Sequence, residues 1–167
     1  MIEYWDYKYE YKNLKKKILK LVNKVFLSGS LLLGKELKNF EKNFCKFNNS
    51  RYGLGVSNGT DALFIALKSF NIKKGDEVIT VSNTAIPTVA AIKNTGAKVR
   101  FADIGNDYLI DVNKIEKLIN RKTKVIIPVH LFGQICDMDK ILLLAKKYKL
   151  KIIEDCAQST GAMYKNK

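Results

Sequence analysis

The stretch GDEVITVSNTAIPTVAAIKNTGAKVRFA, residues 75–102, decides the fold. It opens at a Lys74-Gly75-Asp76 turn signal, runs through the short apolar segment 78–81, passes Ser82-Asn83-Thr84, and then spaces its apolar residues as a helix over 86–94. Thr95-Gly96 marks the helix exit, and 98–102 is a second short apolar run. Strand, helix, strand in so few residues is the unit that joins two parallel strands. The alternation continues in both directions. Segments 52–56, 125–129 and 151–153 read as further strands, and 59–69, 111–120 and 137–148 as helices, with Asp111 and Asp137 as N-caps. Strands and helices taking turns predict an α/β fold, a mostly parallel sheet sandwiched by helices.

Two helices precede the first strand. Leu14, Ile18, Leu21, Val22, Val25 and Phe26 fall on one face of a helix over 7–26, with lysines largely opposite. Ser28-Gly29-Ser30 breaks it, Gly34 marks a turn, and Leu37, Phe40, Phe44 and Phe47 repeat at helical spacing. The apolar stripe of the first helix is expected to pack on its own domain rather than on a membrane.

The chain has 167 residues, 47% of them hydrophobic, which suits one globular domain able to bury about 70% of its unfolded surface. Cys45, Cys136 and Cys156 are odd in number and widely spaced, so they fit a reducing cytoplasm rather than a disulfide framework or a zinc site. No apolar run reaches spanning length, and the N-terminus lacks a basic flank followed by an apolar core, so neither secretion nor a membrane partner is expected. The net charge of +14 comes from 27 dispersed lysines and only three arginines, at 51, 100 and 121. Arginine is the usual reader of phosphates and base edges, so a nucleic-acid partner is not expected either.

In a parallel sheet, ligands gather beyond the carboxyl ends of the strands. Ser57-Asn58, Ser82-Asn83-Thr84, Asp103, His130 and Glu154-Asp155 all fall there. GVSNGT, residues 55–60, runs from a strand into a helix. Its free N–H groups, the helix dipole, Gly59 and the Thr60 hydroxyl make a cradle for a phosphate; simple capping by Ser57 or Asn58 is the alternative. The segment lacks the P-loop lysine and the GxGxxG spacing, which argues against nucleoside triphosphates and dinucleotides. IIEDCAQ, residues 152–158, delivers a carboxylate to the same edge with an amide three residues later. Asp155 would suit a protonated pyridine nitrogen and Gln158 the hydroxyl oxygen of that ring; alternatively Asp155 caps the next loop. His130, in PVHLFG (128–133), reads as a hydrogen-bonded turn residue rather than a catalytic base, because no nucleophile motif accompanies it. Asp137 and Asp139 read as helix-start charges, and no cluster has metal-ligand spacing.

Together these pieces resemble the DegT/DnrJ/EryC1/StrS family of sugar-nucleotide aminotransferases. The matching runs, in family order, are SGSLLLG (28–34), GVSNGTDAL (55–63), GDEVI (75–79), PVHLFGQ (128–134) with Asp137-Met138-Asp139, and IEDCAQ (153–158). The resemblance implies an aspartate-aminotransferase-type, fold type I enzyme dependent on pyridoxal 5'-phosphate. Residues 1–50 would be an N-terminal helical segment and 51–167 a partial large domain. Gly59 and Thr60 would hold the cofactor phosphate, Asp155 the pyridinium nitrogen and Gln158 the phenolic oxygen, while residues 28–34 would lie near the substrate entrance and the dimer contact. The implied reaction moves an amino group, usually from glutamate, onto a keto sugar of a nucleoside diphosphate, for polysaccharide or deoxyaminosugar synthesis, in a cytoplasmic homodimer.

Three departures from the pattern bear on this reading. Ala85 stands where the family commonly has an aromatic ring over the cofactor, and Thr160 where a histidine is frequent. The Schiff-base lysine of the family lies on a later segment that has no counterpart in this chain, so the 167 residues are expected to be an inactive fragment on their own. A dehydratase branch of the same family and a non-enzymatic, partner-binding remnant are the alternative functions.

Overall fold

The computed structural model describes residues 6–165, and they fall into two compact units, Met1–Gly55 and Val56–Lys167. The first holds two helices, α1 (Tyr7–Ser28) and α2 (Lys35–Phe47). Asp6 caps α1 by accepting the Tyr9 N–H, and Gly29 ends it in the left-handed conformation, as a helix exit requires. No residue of either helix is buried. The expected burial of the α1 stripe therefore does not occur: Leu14, Ile18, Leu21, Val22 and Phe26 are all exposed. The unit contains no sheet, so it supplies no opposing apolar layer.

Residues 52–56, expected to be a strand, belong to no ladder. Gly53 and Gly55 lie along α2 instead, where the Gly55 N–H donates to the Glu41 carboxylate at 2.8 Å. A Cβ at Gly53 would come within 2.7 Å of the Cys45 sulfur, and one at Gly55 within 2.5 Å of Leu37 Cδ1, so both glycines permit this close approach. The short apolar run is present, but a strand also needs a neighbour to take its hydrogen bonds.

The second unit runs α3 (Gly59–Ser69), β1 (Glu77–Val81), α4 (Ile86–Asn94), β2 (Lys98–Ala102), α5 (Val112–Ile115), β3 (Thr123–Ile127), α6 (Met138–Tyr148) and β4 (Lys151–Ile152). The four strands are parallel, in the order β2-β1-β3-β4. Every residue of β1 is buried, which fits a central strand covered on both faces. Side-chain alternation sorts the core into two layers. Val78, Val125 and Ile127 meet Leu63 and Leu67 of α3 and Ala91 and Ile92 of α4. Ile79, Val81 and Ile126 meet Val112 and Ile115 of α5 and Met138 and Ile141 of α6.

Asp111 and Asp137 cap α5 and α6 through the Asn113 and Lys140 N–H groups, as expected. The helix expected over 111–120 is shorter: one α turn, then a 3-10 turn at Glu116–Leu118. The cause is local. Asn120 accepts the Lys122 N–H and Thr123 accepts the Asn120 N–H, closing a turn that competes with further helix. No helix of the described residues is long and apolar enough to cross a membrane.

This topology sets where polar residues can collect. The short turn after α3 feeds β1, so α3 runs antiparallel to the strands and its first residue, Gly59, lies at their carboxyl end. α4 starts at that edge too. From β1 the chain crosses to β2 on one side, and from β2 it returns to β3 on the other, so a topological switch lies between β1 and β3.

Candidate functional site

The start of α3 is a set of open donors. Asn58 caps the helix: its side-chain oxygen accepts the Asp61 N–H at 2.9 Å. The Asp61 carboxylate in turn takes the Ser57 hydroxyl and the Asn58 amide. The capping alternative is thus correct for Asn58, yet it leaves the cradle available. Gly59 and Thr60 occupy the first two helical positions, whose N–H groups have no intrahelical partner and none elsewhere among the described residues. A Cβ at Gly59 would meet nothing within 4 Å, so the space beside it is free.

Across the same edge, Asp155 is held by its backbone. Its N–H donates to the Pro128 carbonyl and its carbonyl accepts the His130 N–H, both at 3.0 Å, in a parallel bridge between Val129 and Asp155 that extends the β3–β4 pairing. Its carboxylate accepts the Thr88 hydroxyl on Oδ2 at 2.8 Å, and Oδ1 receives a longer bond of 3.3 Å from the Ala157 N–H. The loop-capping alternative is therefore present, but weak. Among the described residues no lysine, arginine or histidine pairs with Asp155. Thr88 is on the first turn of α4, which packs beside α3, so Asp155 and Gly59-Thr60 are approached from the same face and edge of the sheet.

Gln158 straps a strained turn. Its side-chain oxygen accepts the Phe132 N–H at 3.0 Å, and Phe132 has φ of 57°, the left-handed region. With the oxygen engaged, the amide nitrogen is the end left to donate, and it has no partner among the described residues. Ala85 is the exposed N-cap of α4 and presents no ring face, while Thr160 hydrogen-bonds locally to the Cys156 carbonyl.

His130 is buried, 2% exposed, and fully engaged. The Cys136 N–H donates to its Nδ1 at 3.2 Å, which leaves the ring proton on Nε2, facing Glu154 Oε2 at 3.0 Å. It is a turn residue, as expected. His130 Nε2, Glu154 and Cys156 bring three potential metal ligands within 4.8 Å of one another. Metal binding would need a lone pair at Nε2 and hence a proton on Nδ1, pointed at the Cys136 N–H, so the donor set does not suit an ion. Desolvation and then the Glu154 charge also push the Cys156 thiol up, away from the thiolate. Asp137 and Asp139 are paired with Lys140 and Lys165, and Lys140 holds the Asp137 carboxyl below its ordinary range.

The edge thus offers two open N–H groups, a carboxylate lacking a cation among the described residues, and a free amide N–H. Residue reading alone missed Thr88 and Thr84, whose hydroxyls are 2.9 Å apart behind Asp155. Their only sequence signal was hydroxyl spacing over one helical turn in SNTAIPT (82–88).

A model of the DegT/DnrJ/EryC1/StrS aminotransferase family matches residues 12–167. The chain is 46% identical, over 95% of its length, to a dTDP-3-amino-3,4,6-trideoxy-alpha-D-glucose transaminase from Micromonospora megalomicea subsp. nigra, of which it covers 42%. It superposes on DesV of S. venezuelae with a TM-score of 0.96 at 36% identity, covering 99% of this chain and 45% of that one. NtdA of Bacillus subtilis, solved with its cofactor PMP bound, gives 0.87 at 37% identity, covering 89% and 34%. The chain therefore spans less than half the length of each.

Proposed function

Because the chain belongs to the DegT/DnrJ/EryC1/StrS aminotransferase family, we propose that it forms the pyridoxal-phosphate-binding portion of an enzyme that transfers an amino group to a keto sugar. The sugar would be carried by a nucleoside diphosphate, as the names of its relatives indicate for them, with glutamate as the amino donor. The whole protein would be a cytoplasmic homodimer, and its product a sugar for polysaccharides or deoxyaminosugars. These last points rest on family resemblance.

The observation that carries the reading is Asp155: a half-buried carboxylate, oriented by a buried hydroxyl, with no cation of its own among the described residues. Such a group is costly unless something positive meets it. When bound, the cofactor supplies an electron sink for the carbon that exchanges its amino group. Asp155 would hold the proton on the ring nitrogen, since an anion in hydrogen-bond range favours the charged form of its partner. The Gly59 and Thr60 N–H groups would fix the phosphate at the positive end of α3, and the Gln158 amide would donate to the phenolic oxygen. Three anchors on one face keep the ring still while bonds to it change.

Absorbance titration of this chain with pyridoxal phosphate tests the proposal. Saturable binding is expected, weakened about tenfold or more in Asp155→Ala, a change of about 1.4 kcal/mol. Absence of binding, or equal affinity in the variant, would overturn it.

A further inference from the structure

The Asp155 side chain is held by less than its backbone is. Two strong backbone hydrogen bonds fix the Cα, but the carboxylate has only the Thr88 hydroxyl at 2.8 Å and the longer Ala157 bond to set its rotation. Thr88 is itself fixed. It is 1% exposed, on the first turn of α4, and its Oγ1 is 2.9 Å from Thr84 Oγ1. A hydroxyl has one proton, and an ionised carboxylate can only accept. The Thr88 proton therefore goes to Asp155, and Thr84 donates to Thr88. The three groups form a directed chain, Thr84 to Thr88 to Asp155, in which each bond polarises the next. The chain holds Oδ2 by the shorter bond and leaves Oδ1, with only the longer Ala157 bond, as the more weakly engaged oxygen.

We propose that Thr88 is a positioning residue which, backed by Thr84, aims Oδ1 of Asp155 at the ring nitrogen and so sets how firmly the bound cofactor keeps its ring proton. The inference rests on the cofactor reading above and adds two residues to it. A valine at 88 matches threonine in shape but has no hydroxyl. It would leave the α4 packing in place and let the carboxylate rotate.

The test follows the absorbance of pyridoxal phosphate bound to this chain against pH, in wild type, Thr88→Val, Thr88→Ser and Thr84→Val, with thermal melts of the cofactor-free proteins alongside. Thr88→Val should release the ring proton about tenfold more readily, moving the spectral midpoint down by about one pH unit, and weaken binding by about three- to tenfold. Thr88→Ser, which keeps the hydroxyl, should return both to within about twofold of wild type. Thr84→Val should move the midpoint the same way by less. Equal shifts in the valine and serine variants would mean that packing alone matters and would overturn the proposal. So would a valine variant with the wild-type midpoint, even where its melting temperature has changed. Failure of the wild-type chain to bind would overturn this proposal together with the cofactor reading, whereas binding with an unmoved midpoint in Thr88→Val would overturn this one alone.

Discussion

The two edges of the sheet each carry an acidic side chain, and they are finished in opposite ways. At the amino edge, Glu77 is 7% exposed, accepts the Asn120 amide at 2.8 Å and lies 3.7 Å from the Arg100 guanidinium. Its charge is answered within the fold. At the carboxyl edge, Asp155 receives a hydroxyl and a backbone N–H, and the Gly59, Thr60 and Gln158 donors have no partner among the described residues. A closed carboxylate stabilises the fold. An open one, flanked by open donors, costs free energy until a ligand completes it.

The comparison is broken most severely by damaging what both edges share. Ile126 is fully buried between them, and Ile126→Ala should cost about 2–5 kcal/mol, read as a lower urea midpoint. Cofactor binding should be lost at the same urea concentration as the fold. The next test separates the edges. Glu77→Ala leaves Asn120 and a partly exposed Arg100 without their acceptor and should cost about 1–2 kcal/mol of stability, with pyridoxal phosphate affinity unchanged. Asp155→Ala should show the reverse, a stability change of about 1 kcal/mol or less with the weakened binding stated above. Equal loss of binding in the two variants would erase the distinction.

A smaller effect is expected between the edges. The Thr80 hydroxyl donates to the Ile127 carbonyl at 2.9 Å in the core, and Thr80→Val should cost about 1 kcal/mol without touching binding. The smallest concerns pH. Burial pushes the Cys136 thiol from an ordinary value of 9.0 up to about 11. The folded state thus holds this proton more tightly than the unfolded chain. That contribution is complete below pH 9 and fades as pH rises from about 9 to about 11. The stability difference between wild type and Cys136→Ala, measured by urea unfolding at pH 8 and pH 10.5, should shrink at the higher pH. A difference that stays constant would show that the thiol gains no protection from the fold.

Much of the architecture was legible because helix and strand periods are local. The helix over 86–94 and the strand over 98–102 stand where spacing put them, and the caps at Asp111 and Asp137 follow from side chains two or three residues away. Segment 52–56 has a strand-like apolar run and no ladder, and the α1 stripe has the right period and no cover, because pairing and burial depend on residues far along the chain. The site was legible in the same uneven way. Asp155 and Gly59 stood out as a carboxylate at a strand end and a glycine at a helix start. Gln158 was expected as a donor to the ring, but its second use, gripping the Phe132 turn, was not visible.

The sequence by itself determined the parallel α/β order, the edge at which chemistry collects, and the family, since each depends on residue types at short, ordered spacing. Only the tertiary structure decided which charges are closed and which are open. Glu77 meets Asn120 across 43 residues of chain and Asp155 meets Thr88 across 67, and no local period encodes contacts at such separations. They arise when the sheet brings its ends together and each buried polar group takes the partner within reach.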